Sequence, residues 1–173
     1  MPLKAAIWVH GNIVKAEYPG RLTRLEDVED TAYRRGWGVE FRVRHQGGFP
    51  SPIVPPNDRN WFHIPFSNPV ILDDIRPRLQ KTFVFYKAGL ALITALHIYD
   101  GPRIVKAFND LSLTGDHSSG IDADNSWVID PPITIYYGLG FSVGVQFLQD
   151  NPSDPVNPFG SILFTTAGAD LHT

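Results

Sequence analysis

At 173 residues the chain suits one domain and would be cramped as two, and it can bury about 70% of its unfolded surface without disulfide staples. A net charge of -3 argues against a dedicated nucleic-acid surface, and the absence of cysteine removes disulfides, thiolate nucleophiles and cysteine metal sites together. With 43% hydrophobic and 19% charged residues, 15 Gly and 15 Pro, the composition fits short strands separated by punctuated turns.

The N-terminus (MPLKAAIWVH) is too short in apolar residues for the core of a signal peptide, and no run approaches the ~18 apolar residues of a membrane span. A soluble, cytoplasmic protein is therefore the default, with export by a route that reads no signal peptide left open. Residues 5–9 and 13–18 read as the first two strands. Residues 21–35 lack Gly and Pro and place Leu22, Leu25 and Val28 at three-residue steps, so a short helix or a turn fits there. Trp37, Val39, Phe41 and Val43 then alternate with Gly38, Glu40, Arg42 and Arg44, which gives a strand with one buried and one wet face and puts Trp37 in the core.

After a Pro-rich loop at 46–60, a strand is expected at 62–66. Residues 79–87 and 90–99 are apolar on both faces, and the Ala88-Gly89 link makes them a hairpin of two covered strands. Shorter strands follow at 105–108 and 127–129, the second after a polar loop at 114–126. Ile133, Ile135 and Tyr137 alternate, as do Phe141, Val143, Val145 and Phe147 against Ser142, Gly144 and Gln146. A second Pro-rich loop at 149–160 leads to a strand at 161–166. The sum is an all-β single domain over residues 1–173. About ten short, unevenly spaced strands with long connections predict a two-sheet antiparallel sandwich of jelly-roll type, with a barrel as the rival.

Candidate chemistry falls in three places. The segment 115–127 gathers Asp116, Asp122, Asp124 and Asn125, oxygen donors of the kind Ca²⁺ takes, although the spacing is not that of an EF-hand. Its competing reading is turn chemistry, with Asp, Ser and Asn side chains satisfying backbone donors. His10, His63, His97 and His117 lie in or near predicted strands and could meet around a catalytic metal, but no H-x-H pair with a spaced glutamate accompanies them. Asp100 could work with Asp73 or Asp74 as an acid/base pair, yet both sites also read as turns. Trp61 and Trp127 border polar loops and are the tryptophans best placed to stack on a ligand, although core packing is the commoner role even for them. Trp61, His63, Asp100, His117 and Trp127 thus form the ligand-binding set. G-x-S-x-G, P-loop, G-x-G-x-x-G and H-E-x-x-H signatures are all absent, and Gly138-Leu-Gly140 reads as a turn or bulge.

Several blocks carry a family resemblance: AIWVHGN near the start, RRGWG at 34–38, WFHIP at 61–65, LQKTFVFYK at 79–87, YDGP at 99–102, GDHSSGID at 115–122 and PPITIYYGLGFSVGVQF at 131–147. Together they resemble a family of small bacterial all-β proteins known as a domain of unknown function. The resemblance implies one self-contained β domain and brings no activity or site residues with it. The Pro-rich segments 46–60 and 149–160 are the parts least expected to match.

Three functions remain in order. The first is a non-catalytic, lectin-like recognition module for carbohydrate, with Ca²⁺ as a candidate aid. The second is a structural β protein that self-assembles into homo-oligomers. The third is a metal-dependent enzyme built on the four histidines. Nucleic acid and membrane are not expected as partners.

Overall fold

The computed structural model describes residues 3–23, 31–44, 59–148 and 159–173. Eleven strands follow in chain order: β1 (Leu3–His10), β2 (Lys15–Ala16), β3 (Ala32–Arg35), β4 (Gly38–Arg44), β5 (Arg59–Pro65), β6 (Arg78–Asp100), β7 (Arg103–Phe108), β8 (Leu113–His117), β9 (Ser126–Thr134), β10 (Leu139–Phe147) and β11 (Phe159–His172). All belong to one sheet, ordered β2-β5-β10-β6-β11-β4-β3, with β1 on β11 and with β7, β8 and β9 on β6. The expected two-sheet jelly-roll sandwich is therefore wrong: the chain forms a single, nearly closed barrel.

The reason lies in β6. Residues 78–100 are one strand of 23 residues, not the two arms of a hairpin. Straight, it would reach about 75 Å, whereas a chain of this length packs to a radius of gyration of about 16 Å, so it has to bend. It does so at Gly89-Leu90, where Leu90 takes φ 49 and the register against β8 slips between Ala88 and Ile93. A bulge and a hairpin turn both call for positive φ next to a glycine, and the local sequence does not separate them. β10 pairs with the second half of β6 and β11 with the first, end to end. What would have been two sheets are the two halves of one.

Closure is made by the segment after β1. β2 pairs with β5, the Glu17 amide donates to the Trp61 carbonyl at 2.8 Å, and the Thr23 amide donates to the Arg42 carbonyl of β4 at 2.8 Å. The Arg34 guanidinium donates to the Asn12 and Val14 carbonyls, tying β3 to the same segment. Across the interior, Phe62 of β5 meets Phe41 of β4 at 4.7 Å and Phe164 of β11 at 5.4 Å. Phe141, Phe147, Leu79, Leu96 and Ile98 fill the rest, all buried. Gly11 and Gly38 both press on β11 at Phe164, where a Cβ would sit 2.0 and 2.2 Å from its carbonyl oxygen, so neither site has room for a side chain.

Other expectations shift locally. The alternation of Val39, Phe41 and Val43 points inward as read, but Trp37 falls in the β3–β4 turn and is 51% exposed rather than core. Residues 13–18 are a 3₁₀ turn (Gly11–Ile13) and the two-residue β2 instead of a full strand. The helix or turn at 21–35 gives way to β3 at its end, and its residues 24–30 lie outside the described residues, as do most of both Pro-rich loops. Tyr137 is exposed while Ile135 is buried.

Candidate functional site

β10 runs between β5 and β6, and its register sets out a small array. Ser142 stands opposite His63 on one side and His97 on the other, and Gly144 stands opposite Trp61 and Ala95. Residues directly opposite share a face of the sheet. The intervening Phe62, Ile64, Phe141, Val143, Leu96 and Ile98 are all buried in the barrel, so Trp61, His63, Ser142, Gly144 and His97 look outward. The two small residues form a floor between three large ring side chains.

Each ring is held. A Cβ on Gly144 would stand 3.1 Å from the far edge of the Trp61 indole, so the ring reaches across β10 over a position that has no side chain. There it meets the His97 imidazole at 4.7 Å and 41°. His97 Nε2 lies 2.8 Å from Asn109 Oδ1, which fixes the second ring from the far side. Buried Asn60 accepts from the Tyr18 and Trp61 amides and donates to the Tyr18 carbonyl, and so seats Glu17 alongside β5.

Glu17 completes a chain of polar groups. His63 Nε2 is 3.2 Å from Glu17 Oε2, and His63 Nδ1 is 2.8 Å from Ser142 Oγ. An ionised carboxylate only accepts, so with a neutral imidazole Nε2–H donates to Glu17 and Nδ1 accepts from the Ser142 hydroxyl. The connectivity is that of a serine nucleophile relay. Acyl transfer also needs free donors aimed at an oxyanion, and β10 is paired on both edges, so its amides are committed to the ladders. The array presents hydrogen-bonding groups beside a flat aromatic ring.

The remaining sequence candidates lie elsewhere. Asp100 is buried, and its carboxylate accepts from the amides of Tyr136 (2.8 Å), Tyr137 (2.7 Å) and Gly138 (2.9 Å). Trp127 is partly buried and packs against Phe108 at 6.3 Å. Asp73 and Asp74 form a tight turn, both at positive φ, between Leu72 and Ile75.

The Asp-rich loop is organised by its own backbone. Asn125, fully buried, accepts from the Asp122 amide and donates to the His117 and Gly120 carbonyls. Asp122 Oδ1 accepts from the Asp124 and Asn125 amides. Asp116 accepts from Ser118 and pairs with Lys87 at 2.9 Å, contacts that hold its carboxyl at about 2. Among the described residues, no group of three or more His, Cys, Asp or Glu side chains is placed to hold a metal ion. His63 and His97 flank Ser142, whereas His10 bonds to the Gly36 carbonyl and His117 belongs to the Asp-rich loop.

His117 gives a pH test of that loop. The Asp122 carboxylate, 2.8 Å from Nδ1, raises the imidazole above its ordinary value, and His117 in turn lowers Asp122. A raised histidine stabilises fully below its ordinary pKa of about 6.5 and loses that contribution as pH climbs through the raised value. A depressed aspartate stabilises above its ordinary value of about 4 and loses that as pH falls through the depressed one. The loop is thus best held between roughly pH 4 and 6.5. Amide exchange over residues 118–126, corrected for intrinsic pH dependence, should show more protection at pH 5.5 than at pH 8.5. His117→Gln should abolish that difference.

Fold and array together define an all-β barrel protein with an aromatic, hydrogen-bonding patch on its outer wall. The chain belongs to the family of unknown function DUF6623, whose model matches residues 1–156. The match runs through the Pro-rich segment 46–60, contrary to expectation, and ends inside 149–160. No curated protein and no solved structure matches the chain. Among the described residues no helix is long and apolar enough to cross a membrane.

Sequence reasoning singled out Trp61, His63 and His97 but missed Ser142, Gly144, Glu17 and Asn109. Ser142 and Gly144 were visible only as the wet positions of an alternating strand. Glu17 and Asn109 reach the array through pairings far apart in sequence.

Proposed function

We propose that the chain is a non-catalytic recognition module that binds carbohydrate on the outer face of β5, β10 and β6. The observation that carries this reading is the Trp61 indole laid across Gly144 beside His97, with His63, Ser142 and Glu17 one residue pair along the same face. A sugar ring offers an apolar C–H face and a rim of hydroxyls. A flat indole answers the first, and imidazole, hydroxyl and carboxylate groups answer the second. The reading requires no metal: Asp122 and Asn125 bond the backbone of their own loop, and Asp116 pairs with Lys87.

A glycan array probed with and without Ca²⁺ tests it. Binding to a limited set of glycans is expected, and Trp61→Ala should weaken it about thirtyfold or more, as loss of a central aromatic anchor does. Silence across the array in both conditions would sink the proposal. A strict concentration dependence of oligomeric state, with no glycan bound, would favour the self-assembling alternative instead.

A further inference from the structure

The same construction occurs a second time on the barrel wall. On β1, Trp8 is paired with Gly168 of β11, which is paired in turn with Phe83 of β6. A Cβ on Gly168 would lie 2.5 Å from Trp8 Cε3 and 2.6 Å from Cδ2, so the indole rests directly on the glycine. It stacks on Phe83 at 5.1 Å and 24°, and meets the edge of Phe85 at 5.7 Å. Phe83 is buried beneath this cover, whereas Trp8 keeps 43% of its surface exposed. The glycine backbone and the two phenylalanines thus seat the indole on one side, and the surface it keeps exposed is available for stacking.

Polar groups stand beside this ring as they do beside Trp61. Two residues along β11, Asp170 is opposite Ala6 of β1 and Lys81 of β6, on the same outer face. Lys81 does not close an ion pair with it; the ammonium sits over the Phe83 ring at 5.1 Å. Partial burial raises the Asp170 carboxyl, with the charges of His172 and Lys81 opposing, and no hydrogen bond contributes to holding it. Its part-exposed oxygens can accept from a ligand's hydroxyls. Val128, 63% exposed and opposite Lys81 on β9, extends the face.

We propose that Trp8 on Gly168, with Asp170 and Lys81 beside it, is a second pyranose-binding platform, so that each chain engages a polysaccharide at two points. This rests on the carbohydrate reading of the Trp61 face. The two platforms sit on opposite halves of β6, on either side of its bend, one carried by β10 and the other by β11. Two weak ring-stacking sites on one rigid barrel bind a repeating polymer more tightly than either alone, because the second contact is intramolecular.

Isothermal titration with chitohexaose, cellohexaose and maltohexaose, each in turn, separates the possibilities. The expected result is two sites per chain for at least one of these sugars. Trp8→Ala should leave the Trp61 site, Trp61→Ala should leave the Trp8 site, and the double variant should bind nothing. Asp170→Asn, which leaves the indole in place, should weaken one of the two sites about tenfold while circular dichroism and melting stay unchanged. It therefore decides the matter even if Trp8→Ala folds poorly. A single site removed by Trp61→Ala and untouched by Trp8→Ala and Asp170→Asn would overturn the second platform and leave the first standing. No binding of any hexasaccharide, together with a silent glycan array, would remove both. Light scattering that shows a dimer lost in Trp8→Ala would reassign this face to a second copy of the chain.

Discussion

Replacing Asp100 with alanine should lower folding stability by about 4 kcal/mol, a large share of what a domain of this size has. The carboxylate is buried at the end of β6 and accepts from three consecutive amides, those of Tyr136, Tyr137 and Gly138. Each is a charge-assisted bond, worth more than a neutral one, and each amide left without an acceptor carries its own desolvation cost. Water entering the vacated space would recover part of the sum, which is why the expected loss falls short of three full bonds. The turn has little freedom to rearrange. The Gly101 amide donates to the Gly138 carbonyl at 2.9 Å, and Gly101 itself has φ 58, with Tyr137 where a Cβ would be. Asp100→Asn keeps an acceptor for some of these amides but sets an NH₂ group among donors, so about half the loss is expected. Asp74→Asn, in an exposed turn whose positive φ asparagine also tolerates, should change stability by less than about 0.5 kcal/mol. Urea unfolding followed by fluorescence gives all three. A loss below about 1 kcal/mol for the alanine variant would mean that the turn is held by its backbone contacts alone.

Asp100 also shows why sequence reading reached the strands more readily than their arrangement. Alternation revealed the buried faces of β4 and β10 because period two is a local property of a strand. Asp-Gly-Pro at 100–102 was legible as a turn for the same reason. That this aspartate also holds a second turn at 136–138 depends on β6 ending beside the start of β10, which no window of local sequence contains. The bend in β6 is a similar case. Gly89 marked the interruption, but whether the chain reverses or continues there is decided by which strands lie alongside. β10 and β11 take the same edge of β6 in succession, and that made a barrel of what the strand count suggested was a sandwich. The candidate site divides the same way. Its aromatic and imidazole members could be named from residue type, whereas Ser142 and Gly144 gain meaning only from the register that puts them between Trp61, His63 and His97.

The sharpest test of the Trp61 face uses two glycines of one strand. Gly140 and Gly144 both lie on the outer side of β10, flanking Ser142. Valine at either position should suit the strand itself, because β-branched residues favour extended backbone. The surroundings differ. Around Gly140 nothing stands within 4 Å of a Cβ, whereas at Gly144 the Cβ alone would be 3.1 Å from the indole and 3.4 Å from Ala95. Two further methyl groups would occupy the space of the Trp61 ring and lift it away from His97. Gly144→Val should therefore reduce glycan binding as severely as Trp61→Ala, about thirtyfold or more, while stability falls by about 1–3 kcal/mol, the cost of overpacking a covered glycine, and the barrel stays folded. Gly140→Val should leave both binding and stability near those of the parent chain. The comparison holds residue type, strand and face constant, and varies only what the new side chain displaces. Full binding by Gly144→Val would show that the seating of the indole on β10 is packing without consequence for recognition. Loss of binding in both variants would place the contact surface nearer Gly140 than the Trp61 ring.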